Sequence, residues 1–336
     1  MLGASMSAPA EAQDKQTRWK LASSFPGSLV QIGPGGKRVT ENITKLSGGS
    51  LEIRWHEPSA LVPALQVFDA TSAGSVDAGW SAAGFWVGRW PAAAFFAAVP
   101  FGPTAGEYTA WFYFGGGKEI YEEMYGTANV RGTICFLLPP ESGGWFRKEI
   151  KTIEDFKGLK LRYPGLAGRV MDKVGASTQL IAAGDIYPAL ELGTIDGTEF
   201  STPAIDLGLG FHRVAKFNYY PGWHQPSTLL ELIVNGDKWK ALSDSQRLLV
   251  ETVCGDQMRL SLAEGEATQF KALNEIKTKG VQVNRFPPDV LTKLEQAWLE
   301  VATEESAKDP WFKRSWDSVS AFRKDYAVWK DLGYLR

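Results

Sequence analysis

The chain has 336 residues, and its 36 Lys and Arg against 38 Asp and Glu give a formal charge of −2. With 44% hydrophobic residues it has the composition of an ordered globular protein, long enough that two lobes are expected. The near-neutral charge without a basic face argues against nucleic-acid binding, and no run of 18 apolar residues predicts a membrane-spanning helix.

The N-terminal segment is similar to the end of an export signal. Residues 1–16 are rich in Ala and Ser, and Ala8-x-Ala10 and Ala10-x-Ala12 are typical export-peptidase sites, although the basic start and long apolar run are missing. We predict a signal-peptide remnant and a mature chain outside the cytoplasm. A short disordered arm is the alternative.

The first part of the chain predicts the order β-α-β-α-β. Alternating apolar and charged residues indicate a half-buried strand, glycines end helices, and proline favours the first helical position. The elements are a strand at 19–22, a helix ending at the Ser-Gly-Gly-Ser of 47–50, a strand at 51–55, a helix opened by Pro63 and a strand at 74–80.

The second part repeats this order. Its elements are a strand at 159–163, a helix, a strand at 178–181, a helix opened by Pro188 and a strand at 193–199. Pro-Ala-Leu occurs at 63–65 and again at 188–190, and Gly-Ser-Val-Asp at 74–77 matches Gly-Thr-Ile-Asp at 193–196. Two matched blocks in one order favour duplication of a lobe over chance similarity.

Two α/β lobes predict a ligand cleft between them, because ligands of open α/β sheets lie beyond the carboxyl ends of the strands. Trp80 and Glu199 occupy equivalent strand ends, and Arg162 ends another strand. The first lobe therefore offers an aromatic wall and the second offers charges. The β-branched and aromatic stretches 130–136 and 215–234 are candidate strands crossing between the lobes as a hinge.

The two cysteines, Cys135 and Cys254, are far apart in the sequence and have no metal-ligand spacing. A disulfide framework would need more cysteines, so we expect two buried, unlinked thiols.

Two charged residues at strand ends are candidates for ligand contact. A guanidinium at Arg162 is suited to grip a carboxylate with two nitrogens, and a surface arginine or an internal ion pair is the alternative. A carboxylate at Glu199 is suited to hold a hard cation such as Na⁺ or Ca²⁺, which would screen it from an anionic ligand. The alternative for Glu199 is a salt bridge to Arg162.

Two turn-rich loops offer further oxygen ligands for the same cation. Gln225 lies in the loop 221–226, of sequence PGWHQP, and Glu141 lies in the loop 139–146, of sequence PPESGGWF. The alternative is that loops of this composition are ordinary turns.

Several catalytic motifs are absent from the sequence. The glycines at 115–117 lack the spacing of a phosphate-binding loop, the three histidines have no zinc-ligand spacing, and no Gly-x-Ser-x-Gly motif occurs. The remaining enzyme alternative is a secreted carbohydrate-active or organic-acid enzyme that uses Glu141 and Glu199.

Three motifs together resemble one family. They are FKGLKLR at 156–162, GTIDGTEF at 193–200, and FHRVAK at 211–216 followed by YYPGWH at 219–224. From Trp19 onward the chain resembles the solute-binding receptors of tripartite ATP-independent periplasmic (TRAP) transporters. It is most similar to the branch that binds 2-oxo acids such as pyruvate, or their 2-hydroxy analogues, together with a cation.

The resemblance implies a fold and a site. It implies a two-lobed α/β fold of the periplasmic-binding-protein type, non-catalytic and periplasmic, that closes over its ligand and delivers it to membrane subunits. Arg162 corresponds to the arginine that pairs with the substrate carboxylate. Glu199, the backbone carbonyl of Phe200 and Gln225 correspond to the positions that hold the cation, Na⁺ or Ca²⁺. We predict no catalytic residue and no catalytic cofactor.

Two departures from the family pattern affect ligand choice. Relatives commonly carry a glutamine in the loop where this chain has Glu141, so an added carboxylate would favour a divalent ion, unless it points away from the site. Where relatives often have a ligand-bonding tyrosine this chain has Phe85, which removes about 1 kcal/mol of polar contact and favours a more apolar ligand tail. Trp80, Phe85 and Trp223 are the predicted apolar walls.

The chain is predicted to end in a helical segment. This segment either mediates a homodimer, as in some members of the branch, or folds back on its own lobe. Its aromatic residues at helical spacing are Phe312, Trp316, Phe322 and Tyr326. The segments are 1–16 as the signal remnant or arm, 17–131 with about 218–259 as the first lobe, 132–217 with about 260–310 as the second, and 311–336 as the helical segment.

Overall fold

The structure is a computed structural model that describes residues 16–335. The predicted signal-peptide remnant lies, except for Gln16, outside the described residues.

The described chain contains strands and helices in three consecutive sets. The first is β1 (Thr17–Ser23), α1 (Ile32–Leu46), β2 (Leu51–His56), α2 (Val67–Ser72), β3 (Ala78–Ser81), α3 (Ala105–Phe114), α4 (Gly117–Gly126) and β4 (Val130–Leu138). The second is β5 (Gly144–Phe146), β6 (Lys160–Arg162), α5 (Gly165–Lys173), β7 (Ser177–Gln179), α6 (Ala183–Glu191), β8 (Gly197–Thr198), α7 (Pro203–Leu209) and β9 (Phe217–Tyr220). The third is β10 (Thr228–Asn235), α8 (Gly236–Lys240), α9 (Asp244–Thr278), β11 (Gln282–Arg285), α10 (Pro288–Lys308) and α11 (Pro310–Gly333).

The two sheets repeat one topology, which confirms the predicted pair of similar α/β lobes. The first sheet has the order β2-β1-β3-β10-β4 and the second β11-β9-β5-β8-β6-β7. In each sheet three adjacent strands are parallel, and the one that comes first in the sequence lies in the middle. The strand that comes third in the sequence also pairs with an antiparallel strand. The matched glycines Gly74 and Gly193 both have positive φ, +75° and +72°, a conformation that favours glycine.

The prolines of the repeated blocks do not open α-helices as predicted. Pro63 precedes a short 3-10 turn, and α2 begins only at Val67. Pro188 lies inside α6, which begins at Ala183, so its ring replaces an N–H that would otherwise bond within the helix. The sequence match marked equivalent elements correctly but placed their first residues wrongly.

The chain crosses between the lobes later than predicted. β4 stays in the first sheet to Leu138, which pairs with Thr228 of β10, and β9 stays in the second sheet to Tyr220. The first two crossings are therefore 139–143 and 221–227, compared with predicted boundaries at 131/132 and 217/218. A third crossing lies between β10 of the first sheet and β11 of the second and includes α9. The stretch 130–136 is a sheet strand rather than a hinge, because hydrogen-bonded pairing extends it, and only the middle of 215–234 crosses.

The expectation of two unlinked thiols is wrong. Cys135 on β4 and Cys254 on α9 form a disulfide across 119 residues of sequence. The cysteines meet because α9 packs along β4, a tertiary contact that cysteine counting does not reveal.

The C-terminal helices connect both lobes. α9 packs against β4 and α1 of the first lobe and against α7 of the second. α10 packs on α5 of the second lobe, whereas α11 packs on α10 and returns to α3 and α4 of the first. Among residues 16–335, no helix has the length and apolar character needed to span a bilayer.

Candidate functional site

The candidate site lies where two strand ends of the second lobe meet the first two crossing segments. Arg162 is the last residue of β6 and lies beside Thr198 of the parallel strand β8, so Glu199 follows directly at the same edge. Glu141 belongs to the crossing 139–143, and Gln225 belongs to the crossing 221–227. The fold thus brings together all four polar side chains predicted for the site.

Arg162 is buried, with 2% of its surface exposed, and forms the internal ion pair that the sequence left open. Its Nη1 donates to Oε1 of Glu199 at 2.5 Å and to the Glu199 backbone carbonyl at 2.7 Å, and its Nε donates to the Ile181 carbonyl at 3.3 Å. In the described part of the chain Nη2 has no hydrogen-bond partner, although the side chain lines a cavity. One terminal nitrogen is therefore available to an anion.

Burial and charge act in opposite directions on this guanidinium. Burial lowers the pKa of Arg162, while the carboxylates of Glu199 and Glu141 raise it. Because arginine starts from a pKa above about 12, it remains a cation in this setting. The Phe200 ring lies 5.1 Å from the guanidinium carbon, a further contact that favours the charged form.

Three side chains direct polar atoms at one point. The amide end of Gln225 has one atom 3.1 Å from Oε2 of Glu199 and 3.0 Å from Oε2 of Glu141. If that atom is nitrogen, it donates to both carboxylates, and the amide oxygen accepts from Thr228 at 3.2 Å. If it is oxygen, three oxygens converge, as ligands of a hard cation do. Rotation of the Gln225 amide exchanges these two arrangements, so the same side chain can bond the carboxylates or coordinate a cation.

Glu141 is buried and lines the cavity beside Arg162 and Gln225. Its Oε1 accepts hydrogen bonds from Thr228 at 2.8 Å and Ser201 at 3.3 Å. Burial raises the pKa of Glu141 well above its ordinary value, and the charge of Glu199 raises it further. A cation would reverse this effect, because positive charge favours the ionised carboxylate.

The sequence reasoning missed His224 as a site residue. Its Nε2 lies 2.9 Å from Oε2 of Glu199, and it forms with Glu141 and Glu199 a buried group whose ligand atoms lie within 4.8 Å of one another. Its position directly before Gln225 was the available signal. A zinc-ligand spacing of the three histidines does not identify it.

Asp206 on α7 was also missed, and it holds the loops around the site. Its carboxylate accepts from Ser142 at 3.0 Å, from the Trp145 indole at 2.8 Å and from the Ser201 backbone N–H at 3.0 Å. Burial raises the pKa of Asp206 to about 8. No sequence signal separates this residue from other first-turn acids of helices.

A small cavity of about 50 Å³ lies beside these groups. It lies between the lobes, and Phe85 lies in its wall. It is lined by Phe25, Ile32, Ala82, Phe85, Leu138, Glu141, Arg162, Pro164, Phe200, Ser201, Gln225, Thr228 and Leu230.

Two of the three predicted aromatic walls are elsewhere. Trp80 is fully buried in the hydrophobic core of the first lobe and packs edge-on against Phe136. Trp223 stacks on Phe101, with ring centroids 5.6 Å apart, and contacts His224 edge-on. Neither lines the cavity. Trp80 turns away because successive strand residues alternate between faces of a sheet that is covered on both sides.

The residues fit the cation that the resemblance implies. Carboxylate and amide oxygens are preferred ligands of Na⁺ and Ca²⁺, and Glu141, Glu199 and Gln225 supply them from three segments at one buried point. That the backbone carbonyl of Phe200 is also a ligand of this cation remains a prediction.

Comparison with known proteins gives a consistent result. Residues 32–309 match the family described as bacterial extracellular solute-binding protein, family 7 (DctP). A monocarboxylate 2-oxoacid-binding periplasmic protein of Nostoc is 33% identical over 95% of this chain and 87% of its own length.

Crystal structures of similar proteins superimpose over nearly the whole chain. A TRAP transporter solute-binding protein from Bordetella bronchiseptica, a mixed-occupancy dimer with copurified calcium and picolinate, has a TM-score of 0.91 and 35% identity, with 94% of both chains covered. One from Pseudoalteromonas atlantica with sodium and pyruvate has a TM-score of 0.90 and 33% identity, covering 94% of this chain and 96% of that one. One from Colwellia psychrerythraea with calcium and pyruvate has a TM-score of 0.90 and 33% identity, with 95% and 97% covered.

Proposed function

The chain belongs to family 7 of the bacterial extracellular solute-binding proteins, and from this premise we propose that it is the periplasmic receptor of a TRAP transporter. Its ligand is a small 2-oxo or 2-hydroxy monocarboxylate bound together with Na⁺ or Ca²⁺ and delivered to the membrane subunits. The family is one of binding proteins, so the chain is not an enzyme, and the carbohydrate-active or organic-acid enzyme alternative has no support.

One observation supports the ligand class most directly. A buried guanidinium with an available nitrogen lies next to the carboxylates of Glu141 and Glu199, which converge with the amide end of Gln225. A 2-oxo or 2-hydroxy acid carries a carboxylate for Arg162 and an adjacent oxygen for a cation held by these three side chains. The cation neutralises the carboxylates, which would otherwise repel an anionic ligand.

The disulfide supports export. Disulfides persist in oxidising compartments such as the periplasm and are rare in the cytosol. Cys135 and Cys254 are both fully buried, so their bond is structural rather than a surface redox site.

The exposed end of α11 supports a homodimer. Val328, Trp329 and Leu332 are 65%, 59% and 80% exposed in a single chain, and a similar protein was crystallised as a dimer. Large exposed apolar residues close together mark a contact surface.

Calorimetric titration with pyruvate in Ca²⁺ buffer tests this function. Arg162→Ala should weaken binding at least about a hundredfold, because it removes a charge-assisted contact and leaves Glu199 buried without its arginine partner. Arg162→Lys keeps the charge but loses the planar fork, and it should weaken binding about tenfold. Arg169→Ala is the matched control, because Arg169 pairs with Glu305 and does not line the cavity. Unchanged affinity in both Arg162 variants would remove this residue from the site.

The cation is tested by thermal shift. Protein treated with chelator and kept in sodium-free buffer should lose most of its stabilisation by pyruvate, and Ca²⁺ or Na⁺ should restore it. Full retention of the shift would show that the ligand is held by direct protein contacts alone.

A further inference from the structure

The first lobe has a strained turn at Gln31, between β1 and α1. Gln31 has φ +62° and ψ −56°, and the Ile32 N–H donates to the Val30 carbonyl at 2.7 Å. These are the features of the γ-turn with positive φ, which is rare and strained for a residue that carries a side chain. Gln31 is only 4% exposed, so the turn is held by its surroundings and is not a free surface loop.

Gln31 bonds the half of α9 that packs on the second lobe. α9 passes the first crossing at Gly265, where an added Cβ would lie 2.5 Å from the proline that begins this crossing. Thr268 lies one turn further along, and its hydroxyl accepts a hydrogen bond from Nε2 of Gln31 at 2.9 Å. The next residue, Gln269, accepts from the Ala204 backbone N–H of α7 at 3.0 Å. The side chain of Gln31 is therefore linked through α9 to a helix of the second lobe.

Val30 contacts the second lobe directly. A Cβ added to Gly208 on α7 would lie 3.1 Å from Cγ2 and 4.0 Å from Cβ of Val30. The residue after the turn, Ile32, lines the small cavity between the lobes together with Arg162 and Phe200. The turn thus lies between the ligand cavity and a contact that requires the two lobes to be close together.

We propose that the turn at Gln31 is a strained latch between the lobes. Closure forms the bond to Thr268 and the contact of Val30, but it forces Gln31 into an unfavourable backbone conformation. Opening breaks both contacts and relieves the strain, so the strain limits the stability of the closed state and allows the receptor to reopen. This inference rests on the proposed function, for which it supplies the control of ligand release.

A disulfide trap measures closure without any ligand. Val30→Cys combined with Gly208→Cys places two Cβ atoms 4.0 Å apart in the closed state, within the range that disulfides require. Under a mild oxidant, the rate at which the trap forms reports the fraction of closed molecules, because opening separates the two cysteines. The native disulfide between Cys135 and Cys254 is fully buried and already formed, so it does not compete.

Two substitutions at Gln31 isolate the strain. Gln31→Ala and Gln31→Gly both remove the bond to Thr268, but only glycine adopts a positive φ without strain. Added to the trap, Gln31→Gly should form the disulfide about fivefold faster than Gln31→Ala. Asn129→Gly and Asn129→Ala are the matched control and should form the trap at equal rates. Asn129 also has a positive φ, +53°, but it lies between α4 and β4 within the first lobe.

Thr268→Val isolates the hydrogen bond. It should slow trap formation about fivefold when Gln31 is present, because closure then leaves a buried amide without its partner. It should have no effect when Gln31 is already replaced by alanine, because the bond is then absent. Equal rates for Gln31→Ala and Gln31→Gly, or an equal effect of Thr268→Val in both backgrounds, overturn the latch.

Pyruvate added to the same reaction separates the latch from the function on which it rests. In Ca²⁺ buffer, pyruvate should accelerate trap formation in every variant, because a ligand held by both lobes favours the closed state. If pyruvate accelerates none of them while the ligand-free rates differ as expected, the proposed receptor function is wrong and the latch stands. If pyruvate accelerates all of them but the ligand-free rates of the alanine and glycine variants are equal, only the latch is wrong.

Discussion

Glu231 is a buried acid that the binding site does not use. It lies on β10 in the core of the first lobe, where the Tyr125 hydroxyl donates to its carboxylate at 2.9 Å and the Tyr121 hydroxyl donates to the other oxygen. Burial raises its pKa to about 8 and outweighs the opposing effect of the two tyrosines. Its charge state therefore changes within the range in which the protein is handled, which links the stability of this lobe to pH.

We expect Glu231 to make the protein less stable as pH rises. An acid whose pKa is higher in the folded state stabilises the fold fully below its unfolded pKa, near 4.3, and loses this contribution as pH rises toward 8. The loss is about 3–4 kcal/mol between pH 5 and pH 8 for one such group. Glu231→Gln keeps the shape without the charge, so urea unfolding should show a shallower decline and higher stability than wild type at pH 8.

The control for this measurement is Glu295→Gln, at an exposed position on α10. It should leave the pH dependence unchanged. If the two variants and the wild type follow parallel curves, Glu231 is not the source of the decline.

At the scale of elements, periodicity and turn residues predicted the order of strands and helices, which local interactions determine. The β-α-β-α-β order of each lobe was predictable because strand alternation and helix-ending glycines are local, and Gly74 and Gly193 share a positive φ. The crossing points were misplaced because the pairing of β4 with β10 is decided by a distant partner. Trp80 was misassigned for the same reason, since its burial depends on what covers the sheet.

The site shows the same division between local and distant determinants. Arg162 and Glu199 were predictable because each follows or ends a strand, and parallel strands present their carboxyl ends at one edge. Gln225 and Glu141 were predicted from the turn-rich loops that carry them, and the resemblance then matched Gln225 to a cation-holding position. His224 and Asp206 were not predictable in their roles, because both act through contacts that only the closed arrangement of loops creates.

The disulfide between β4 and α9 should be a main source of stability for the first lobe. A cross-link that closes a loop of about 100 residues stabilises by about 2–5 kcal/mol, chiefly by restricting the unfolded chain. Replacing both Cys135 and Cys254 with Ala should lower the melting temperature by several degrees. The same replacement should leave pyruvate affinity unchanged, because neither cysteine lines the cavity.

Reduction provides the matched comparison for this variant. Wild-type protein unfolded in the presence of a reductant should melt at the temperature of the double variant, whereas the variant itself should not respond to reductant. Equal melting temperatures of wild type and variant under oxidising conditions would show that the cross-link adds no stability.

At the scale of the whole molecule, the C-terminal helices determine how the two lobes are held and what remains exposed. The early part of α11 packs on its own chain, with Phe312 4.8 Å from Phe95 and Trp316 5.3 Å from Trp298 between ring centroids. This is the folded-back arrangement that the sequence left open beside dimerisation. In the later part Val328, Trp329 and Leu332 are largely exposed, and Phe114 at the end of α3 is also 91% exposed.

We therefore expect the protein to be a dimer that depends on the later part of α11. Sedimentation equilibrium should give twice the chain mass, and Trp329→Glu combined with Leu332→Glu should shift it to the monomer, because burying a carboxylate in an apolar contact is strongly unfavourable. Lys324→Glu, a charge change on an exposed position of the same helix, is the control and should leave the dimer intact.

Because Arg162 and the cavity walls all lie outside α11, the monomeric variant should bind pyruvate with wild-type affinity. A wild-type protein that sediments as a monomer at about 100 μM, tenfold above a typical weak Kd of about 10 μM, would contradict the dimer and leave this exposed surface to another partner.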